Sequence, residues 1–488
     1  MTKKCLGVVA LLTVLSLPVG AQDAKTVIGN TAKAMGSENL SSITFYGSGA
    51  NFGLGQSNNS NGAWPRTNVS DYVRSIDFTQ PASRATGVTF AAPVTGGPAA
   101  QAAFNQNITP ANTAWAQQLE IWITPWGFLK GAAANNAAAK AQTVGGKKYN
   151  VVTWNTTQKA PSGVAYKVVG YINDRNLVEK VETWLEHPIF GDMLVEGLYT
   201  EYRDANGLKY PATIVQKRGG SATFEAQILG VRANPQNIAQ LVTPPAGGGR
   251  GGGGAAGGGP AAAAGPTSEK LADGVYRING AYNAMAIEFR DHIVLFEGGP
   301  QTEARSTAII AEAKKVIPNK PIRYSILTHH HFDHSSGLPA IVAEGVTIIT
   351  HDVNKTFFEK ALNAPRTLAP DAMSKSGKKP KIETVAEKRV LQDETRTVEI
   401  HHVTGLPHVD GMLMVYLPKE KILAYADMFN LPAAETPVPN PPVVGTMVFV
   451  ENMERLKLEP DKILSVHSLN PDRLATKADI LKSLGRSN

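Results

Sequence analysis

The sequence predicts an α/β domain at the C-terminal end of the chain, preceded by a separate and mainly antiparallel β domain. Three observations support this fold class. A run of glycine, alanine and proline at 244–266 divides the chain, short alternating runs precede it, and strand-like runs that alternate with helical runs follow it. With 488 residues, the chain is also long enough for two or three domains with cores of their own.

The first 21 residues have the features of a secretory signal peptide. Two lysines precede an apolar run that ends in Val19, Gly20 and Ala21, which predicts cleavage after Ala21. Because the run is too short for a transmembrane anchor, we expect a periplasmic or secreted protein. Cys5, the only cysteine, lies inside this segment, so the mature chain would contain no disulfide.

The charge pattern does not favour a nucleic-acid partner. The chain carries 48 basic and 41 acidic residues, for a formal net charge of +7. The basic residues are scattered, and the one dense group, KSGKKPK at 375–381, is interpreted as a solvated loop.

Residues 22–243 form the predicted β-rich N-terminal domain. An amphipathic helix is expected over 23–36, and the regions near 52–70 and 91–112, rich in Gly, Asn, Ala and Pro, are expected to be long loops or poorly ordered insertions. The sequences DANG and KRGG are typical of the turns in β-hairpins. Strand-like alternation occurs at 42–49, 118–128, 149–156, 166–173, 177–186, 199–207 and 222–233.

No cluster of residues in this half of the sequence has the spacing expected of a catalytic site. Its one histidine, His187, is interpreted as a loop or packing residue. One helix followed by an antiparallel sheet loosely resembles the periplasmic lipoprotein-carrier folds, and that resemblance implies an apolar ligand. Alternatively, the sheet could shape the entrance to a site on the other domain, although the flexible linker at 244–266 imposes no fixed arrangement.

Residues 267–488 form the predicted α/β domain. The expected strands are 274–280, 283–290, 292–299, 322–328 and 346–351, and the expected helices are 302–317 and 338–345. Because sites in layered α/β domains are built at the carboxyl ends of strands, the segment that follows the strand at 322–328 is the first place to look for chemistry.

That segment contains four histidines and an aspartate in six positions, 329–334. In an extended chain, His329 and His331 point the same way and can bind one metal, and a turn at Phe332 would bring Asp333 and His334 towards a second. His330, on the opposite face, is expected to pack behind the ligands. Further ligands must come from other strand ends, and the candidates are His408, Asp427 and His467.

This ordered set of seven residues, with the flanking stretches GVYRI, LTHHHFDHSSG, HVDGMLMVYLP and EKILAYADMF, resembles the metallo-β-lactamase-fold superfamily across residues 268–488. The resemblance implies an αββα sandwich with a dinuclear site. In it, one metal would take the first two histidines and His408, the other would take Asp333, His334 and His467, and Asp427 would bridge them. Two zinc ions per chain are favoured by ligand type, and iron or manganese are also compatible with this fold.

The resemblance implies a hydrolase in which a water between the metals loses its proton and attacks the substrate, with Asp333 as the catalytic residue that orients it and assists proton transfer. The zinc β-lactamases of the fold usually carry Cys or Ser in place of Asp427. We therefore expect an exported hydrolase of an ester-like small molecule, such as a lactone. A β-lactamase is the first alternative, and a non-catalytic protein that binds metal and an apolar ligand is the second.

Three positions depart from the usual family pattern. Ala426 replaces the glycine before the bridging aspartate, the sequence SVHS surrounds His467 in place of Gly-His-Gly, and Glu297 stands where the family has an aspartate after the third strand. The first change should keep the ligand. The last could alter the support of the metal ligands.

Overall fold

The computed structural model describes residues 23–91, 100–244, 265–432 and 436–486, arranged around three β-sheets. The expected signal peptide at 1–21 lies outside the described residues, as does the expected linker apart from its ends. A β-rich N-terminal half and an α/β C-terminal half are both present, which confirms the predicted fold class.

The N-terminal sheet has eleven strands, and every neighbouring pair is antiparallel. The strand order is β4-β3-β2-β1-β11-β10-β9-β8-β7-β6-β5, so the first and last strands pair in the interior of the sheet. The strands are β1 (Ser42–Phe52), β2 (Arg66–Asp77), β3 (Ala82–Ala91), β4 (Ala100–Ile108), β5 (Ala138–Val144), β6 (Lys147–Lys159), β7 (Ala165–Ile172), β8 (Val178–His187), β9 (Gly191–Ala205), β10 (Leu208–Arg218) and β11 (Ser221–Ala233).

Within the described part of this half, four helices accompany the sheet. The expected first helix is present and is capped by the Asp23 side chain. The aromatic residues of the second and third helices pack against the strands, with Trp126 on Phe45 and Trp115 on Trp154. The helices are α1 (Ala24–Ala34), α2 (Trp115–Trp122), α3 (Pro125–Ala134) and α4 (Ile238–Val242).

One prediction for this half was wrong, and another holds only in part. The run at 118–128 is not a strand but the end of α2 and the start of α3. Thr124 caps α3 through the amide of Gly127, and Pro125 occupies its first turn, so the Thr-Pro pair marked a helix start within apparent alternation. The prediction of loops near 52–70 and 91–112 holds only in part: residues 53–65 are a connection, but the regions also include the start of β2 and the whole of β4, and residues 92–99 lie outside the described residues.

The C-terminal half contains a seven-stranded and a five-stranded sheet, in the orders β12 to β18 and β19 to β23. The pairs β15–β16, β16–β17, β17–β18 and β22–β23 are parallel, so their carboxyl ends meet at shared edges. The strands are β12 (Ser268–Ala272), β13 (Val275–Ile278), β14 (Ala284–Glu288), β15 (Ile293–Phe296), β16 (Ile322–Ile326), β17 (Thr347–His351), β18 (Lys381–Val385), β19 (Lys388–Gln392), β20 (Thr397–His402), β21 (Leu413–Leu417), β22 (Ile422–Tyr425) and β23 (Lys462–Ser465).

Helices cover the outer face of each sheet, which gives the predicted αββα sandwich. One apolar core lies between the sheets and under α10 and α11, and another lies between the seven-stranded sheet and α5 and α7. None of the described helices is both long and apolar enough to cross a membrane. The helices are α5 (Glu303–Val316), α6 (Phe332–Ser335), α7 (Leu338–Glu344), α8 (Lys355–Leu362), α9 (Ala372–Ser376), α10 (Val444–Arg455) and α11 (Lys477–Ser483), with a 3-10 turn at Asp352–Asn354.

The two halves contact each other through polar and aromatic residues. The Arg366 guanidinium donates to the carbonyls of Pro188 and Ile189 at 2.8 and 3.0 Å, and the Thr367 hydroxyl donates to the Asp192 carboxylate at 2.6 Å. These contacts hold a defined interface between the halves, which the linker sequence alone did not imply.

Candidate metal centre

The histidine cluster follows directly from β16. The backbone stays extended through His331 and then turns into α6, where the hydroxyl of Ser335 donates to the carbonyls of His330 and His331 at 3.1 and 2.9 Å. The rings of His329 and His331 lie 4.5 Å apart, and the turn brings His334 to 4.2 Å from His329. The strand end therefore presents three imidazoles at one place.

The other three candidates reach the same place from the second sheet. His408 lies in the loop between β20 and β21, Asp427 follows β22 by two residues, and His467 follows β23 by two residues. Because β22 and β23 are parallel neighbours, Asp427 and His467 leave the same sheet edge. Asp427 has a φ of 55°, a left-handed conformation that costs free energy for a residue with a Cβ and is typical of functional sites.

The Asp427 carboxylate is the centre of the cluster. Its Oδ2 oxygen lies 3.2 Å from His329 Nε2, 3.1 Å from His334 Nε2 and 3.5 Å from His408 Nε2, and its Oδ1 oxygen lies 2.6 Å from His467 Nε2. Three groups of side chains are close enough to hold a metal ion: His329 with His331 and His408, His329 with His334 and Asp427, and Asp333 with His334 and His467.

The hydrogen bonds behind the histidines suit metal binding. His334 Nδ1 lies 2.9 Å from Glu297 Oε2, and His329 Nδ1 lies 3.0 Å from the Thr328 hydroxyl. The inward Nε2 atoms of His329, His334 and His467 are buried, and apart from their approach to the carboxylates of Asp333 and Asp427 they have no hydrogen-bond partner among the described residues. Imidazole nitrogens that converge in this way on a carboxylate fit a cation, and the outward partners of His329 and His334 fix the orientation of those two rings as in protein metal sites.

The electrostatics also favour a positive charge among these side chains. Burial lowers the pKa of His329 well below its usual value, and the neighbouring His334 lowers it further. Burial acts in the same direction on His334, but the carboxylates of Glu297 and Asp427 outweigh it and raise the pKa of His334 well above its usual value. Burial would raise the pKa of Asp427, yet the surrounding imidazoles hold it well below its usual range. A proton or a metal cation therefore belongs between these groups.

Access to the cluster differs from side to side. The His329 and His334 side chains are fully buried, whereas the side chains of Asp333, His408 and His467 are exposed by 35%, 37% and 31%. An incoming molecule can therefore reach the centre from the edge formed by these three residues.

Several supporting residues were not predicted. The Tyr282 hydroxyl donates to Asp333 Oδ2 at 2.9 Å, and the Tyr282 ring lies 4.4 Å from that of His467. The Gln56 amide, from the N-terminal sheet, donates to Asp333 Oδ1 at 3.0 Å. Tyr282 lies in the short turn before β14, and Gln56 lies in a Gly/Asn-rich stretch, so neither had a sequence signal beyond its type.

The departure at Glu297 keeps a supporting contact. This side chain is fully buried, and while one carboxylate oxygen faces His334, the other accepts the backbone amide of Thr328 at 2.7 Å. Glu297 therefore contacts both the backbone just before the histidine cluster, at Thr328, and the His334 side chain, which is a proposed metal ligand. His330 is buried behind the ligands, as expected, with its Nε2 3.1 Å from the Ser57 hydroxyl.

Comparison with known proteins supports the resemblance. Residues 277–467, less than half of the chain, match the family model of the metallo-beta-lactamase superfamily. No curated protein matches the chain. The predicted resemblance is confirmed for residues 277–467, the segment that matches this family model.

Solved structures resemble the chain over a similar length. A metallo-beta-lactamase from Hirschia baltica is 20% identical over 45% of this chain and 96% of its own, with a TM-score of 0.34. Rubredoxin oxygen:oxidoreductase from Desulfovibrio gigas is 17% identical over 45% and 61%, with a TM-score of 0.34. The metallo-beta-lactamase FIM-1 from Pseudomonas aeruginosa, in its mono-zinc form, is 15% identical over 45% and 93%, also with a TM-score of 0.34.

Proposed function

We propose that the protein is an exported, zinc-dependent hydrolase that cleaves an ester-like small molecule, such as a lactone. The observation that carries the proposal is the Asp427 carboxylate, with oxygens within 3.5 Å of four imidazole nitrogens that come from three separate segments of the sequence. Burying an ionised carboxylate is costly unless a positive charge accompanies it, and metal ions among the imidazoles would supply that charge.

The proposed metal ligands follow from the grouping of the side chains. His329, His331 and His408 would hold one ion, Asp333, His334 and His467 the other, and Asp427 would contact both. Imidazole and carboxylate ligands favour zinc. When bound, a pair of zinc ions supplies Lewis acidity and makes water a nucleophile near neutral pH.

Asp333 would orient the attacking water and move its proton. Burial would raise its pKa, but His334 and the hydrogen bonds from Tyr282 and Gln56 lower it, so the carboxylate is ionised and can accept a proton. Its side chain is about one-third exposed, on the accessible edge of the cluster. A carboxyl group protonated during attack can then donate to the leaving oxygen.

An ester-like substrate is preferred over a β-lactam because of the residue at the bridging position. An aspartate there resembles the pattern of the lactonases and other esterases of the fold, whereas its zinc β-lactamases usually carry Cys or Ser. No further observation favours the β-lactamase alternative, so it is kept as an outcome of the experiment.

The experiment is a substrate panel with the zinc-loaded full chain. Lactones, aryl esters, thioesters, phosphodiesters, sulfate esters and β-lactams are supplied in turn, before and after removal of metal by a chelator. We expect turnover of a lactone or aryl ester that is lost with the metal and restored by zinc. A clear preference for β-lactams would replace the proposal with its first alternative.

The Asp333→Asn variant tests the proposed catalytic residue in the same panel. The amide keeps the side-chain volume but cannot take up the proton, so turnover should fall by about 100-fold or more. Asp472→Asn is a matched control at a half-exposed aspartate that pairs with Arg277. If two ions bind and no compound in the panel is hydrolysed, the non-catalytic alternative is the better account.

A further inference from the structure

The connection between β1 and β2, residues 53–65, leaves the N-terminal sheet and lies against the metal-binding segment of the other half. Ser57 and Ser60 are buried there, although the surrounding sequence is polar. The Ser57 carbonyl lies 3.0 Å from His331 Nε2, and the Gln56 amide donates to Asp333 Oδ1 at 3.0 Å. One short segment of the β-rich half therefore touches a proposed ligand of each metal.

The same segment is fixed on its other side to the loop that carries His408. The Asn58 side chain donates to the Pro407 carbonyl at 2.9 Å, and the Asn58 carbonyl accepts the amide of Asp410 at 2.7 Å. The Ser60 hydroxyl donates to the Val353 carbonyl at 2.9 Å. The connection thus spans the two loops that supply His331 and His408.

The contact with Ser57 decides which nitrogen of His331 can bind a metal. A carbonyl oxygen only accepts hydrogen bonds, so His331 Nε2 must carry the proton and donate it. In the neutral imidazole, Nδ1 then holds the lone pair, which is the form that a metal ligand needs. The backbone of the N-terminal half therefore sets both the tautomer and the orientation of this ring.

Glycine at position 55 makes this approach possible. Gly55 has a φ of 77°, and a Cβ added to it would lie 2.2 Å from the ring of Phe332, the residue after His331. Real Cβ atoms do not come so close to a neighbour, so any other side chain at position 55 would displace either the segment or the Phe332 ring beside His331.

We propose that the β-rich half completes the metal centre, with the Ser57 carbonyl as the positioning group for His331 and the Gln56 amide as the positioning group for Asp333. The two halves then form one active site, and residues 53–65 are one of its walls. This role rests on the proposed function in that it assigns metals to these ligands. It also gives the N-terminal half a purpose beyond any ligand of its own.

The test compares Gly55→Ala with Gly146→Ala in the full chain. Gly146 has a φ of 80° and nothing within 4 Å of an added Cβ. An alanine there therefore has the same backbone strain but makes no clash with a neighbouring side chain. Zinc affinity is measured by competition with a chromophoric chelator, and the spectrum of the cobalt-loaded protein reports on ligand geometry. Gly55→Ala should bind zinc about 10- to 100-fold more weakly and show an altered cobalt spectrum, whereas Gly146→Ala should match the wild type. Equal affinities and spectra in the two variants would overturn the proposal.

A second pair of variants leaves the backbone alone, so the proposal stays testable if Gly55→Ala does not fold. Gln56→Ala removes the donor to Asp333, and Gln142→Ala removes an exposed glutamine on β5. Only Gln56→Ala should lower zinc affinity, by about tenfold, with the unfolding temperature of the metal-free protein unchanged. Unchanged affinity in Gln56→Ala would count against its role.

These binding measurements need no substrate. If the chain binds zinc in the expected manner and hydrolyses nothing, the proposed function fails while this inference stands. If the chain hydrolyses esters and Gly55→Ala binds metal as Gly146→Ala does, the inference fails while the function stands.

Discussion

His334 Nδ1 lies 2.9 Å from Glu297 Oε2, and both side chains are fully buried. The imidazole is thereby held between two carboxylates, with Glu297 behind it and Asp427 in front of it. A carboxylate behind a metal-binding histidine fixes the ring and increases its basicity. The replacement of the usual aspartate by Glu297 therefore preserves the supporting contact, and its consequences can be measured.

The Glu297→Gln variant should weaken zinc binding by about 10- to 100-fold. The amide keeps the volume, and its oxygen can still accept the hydrogen bond of the Thr328 backbone amide, but its NH2 group cannot accept a hydrogen bond from His334 Nδ1. Chelator competition measures the loss. Glu344→Gln, at an exposed glutamate paired with Lys314, is the control and should bind zinc normally. Wild-type affinity in Glu297→Gln would show that the contact does not support the metal.

The Tyr282→Phe variant should lower kcat by about tenfold or more and leave the metal content unchanged. The lost hydroxyl donates to Asp333, and without it the pKa of that carboxyl rises, so its ability to orient water changes. Steady-state kinetics as a function of pH would detect the change. Tyr276→Phe, on β13, controls for loss of a tyrosine hydroxyl elsewhere in the domain, and equal kinetics in both variants would argue against the role of Tyr282.

The stability of the protein should depend on pH through His187, at the interface between the halves. Burial lowers the pKa of His187 to about 3, its Nδ1 accepts the amides of Ile189 and Phe190, and its ring packs 5.1 Å from that of Phe332. The unfolded chain binds a proton at this residue below about pH 6.5, but the folded chain does not until about pH 3. The free energy of unfolding should therefore fall as the pH drops through this window, by up to about 1.4 kcal/mol per pH unit.

Denaturant unfolding of the wild type and of His187→Gln between pH 7 and pH 4 tests this dependence. The glutamine can still accept a backbone amide but does not titrate, so its unfolding free energy should fall less steeply than that of the wild type. If the unfolding free energies of the wild type and the variant fall equally steeply with pH, protonation of His187 does not contribute to the pH dependence of stability.

The location of the protein is also testable. Residues 1–21 carry the features of a signal peptide, so the mature chain should begin at Gln22 and appear outside the cytoplasm. Cell fractionation followed by sequencing of the amino terminus measures both. A mature protein that retains Met1 and the lysines after it would rule out this processing.

Much of the α/β half could be predicted from its sequence because its signals are local. A β-strand that ends in the 329–334 cluster, helices with capping residues, and ligands two residues beyond β22 and β23 all depend on neighbouring residues. The seven candidates were identified in this way, and the structure brings them together, although their metal-binding roles remain predictions. The wrong strand at 118–128 shows the limit of such signals, because Trp115, Leu119 and Trp126 are buried by the sheet on which their helices pack.

The contacts between the halves could not be predicted in the same way. Ser57 and His331 are 274 positions apart, and nothing near either residue indicates that they meet. The Gly/Asn-rich composition of the connection at 53–65 is typical of an exposed loop, and only its contact with the other half explains why Ser57 is buried. The supporting contact of Glu297 could not be predicted either, because it depends on the distance between Glu297 and the His334 ring, which is 37 positions away in the sequence.

The central claim is that seven side chains from both sheets of the α/β half hold two metal ions around Asp427. Elemental analysis of the zinc-loaded full chain, set beside the Asp427→Ala variant, tests it most directly. We expect close to two ions per wild-type chain and about one, weakly held, in the variant. The rate of hydrolysis should fall together with the metal content. A wild-type chain that retains no zinc, or an Asp427→Ala chain that keeps both ions and its full activity, would contradict the claim.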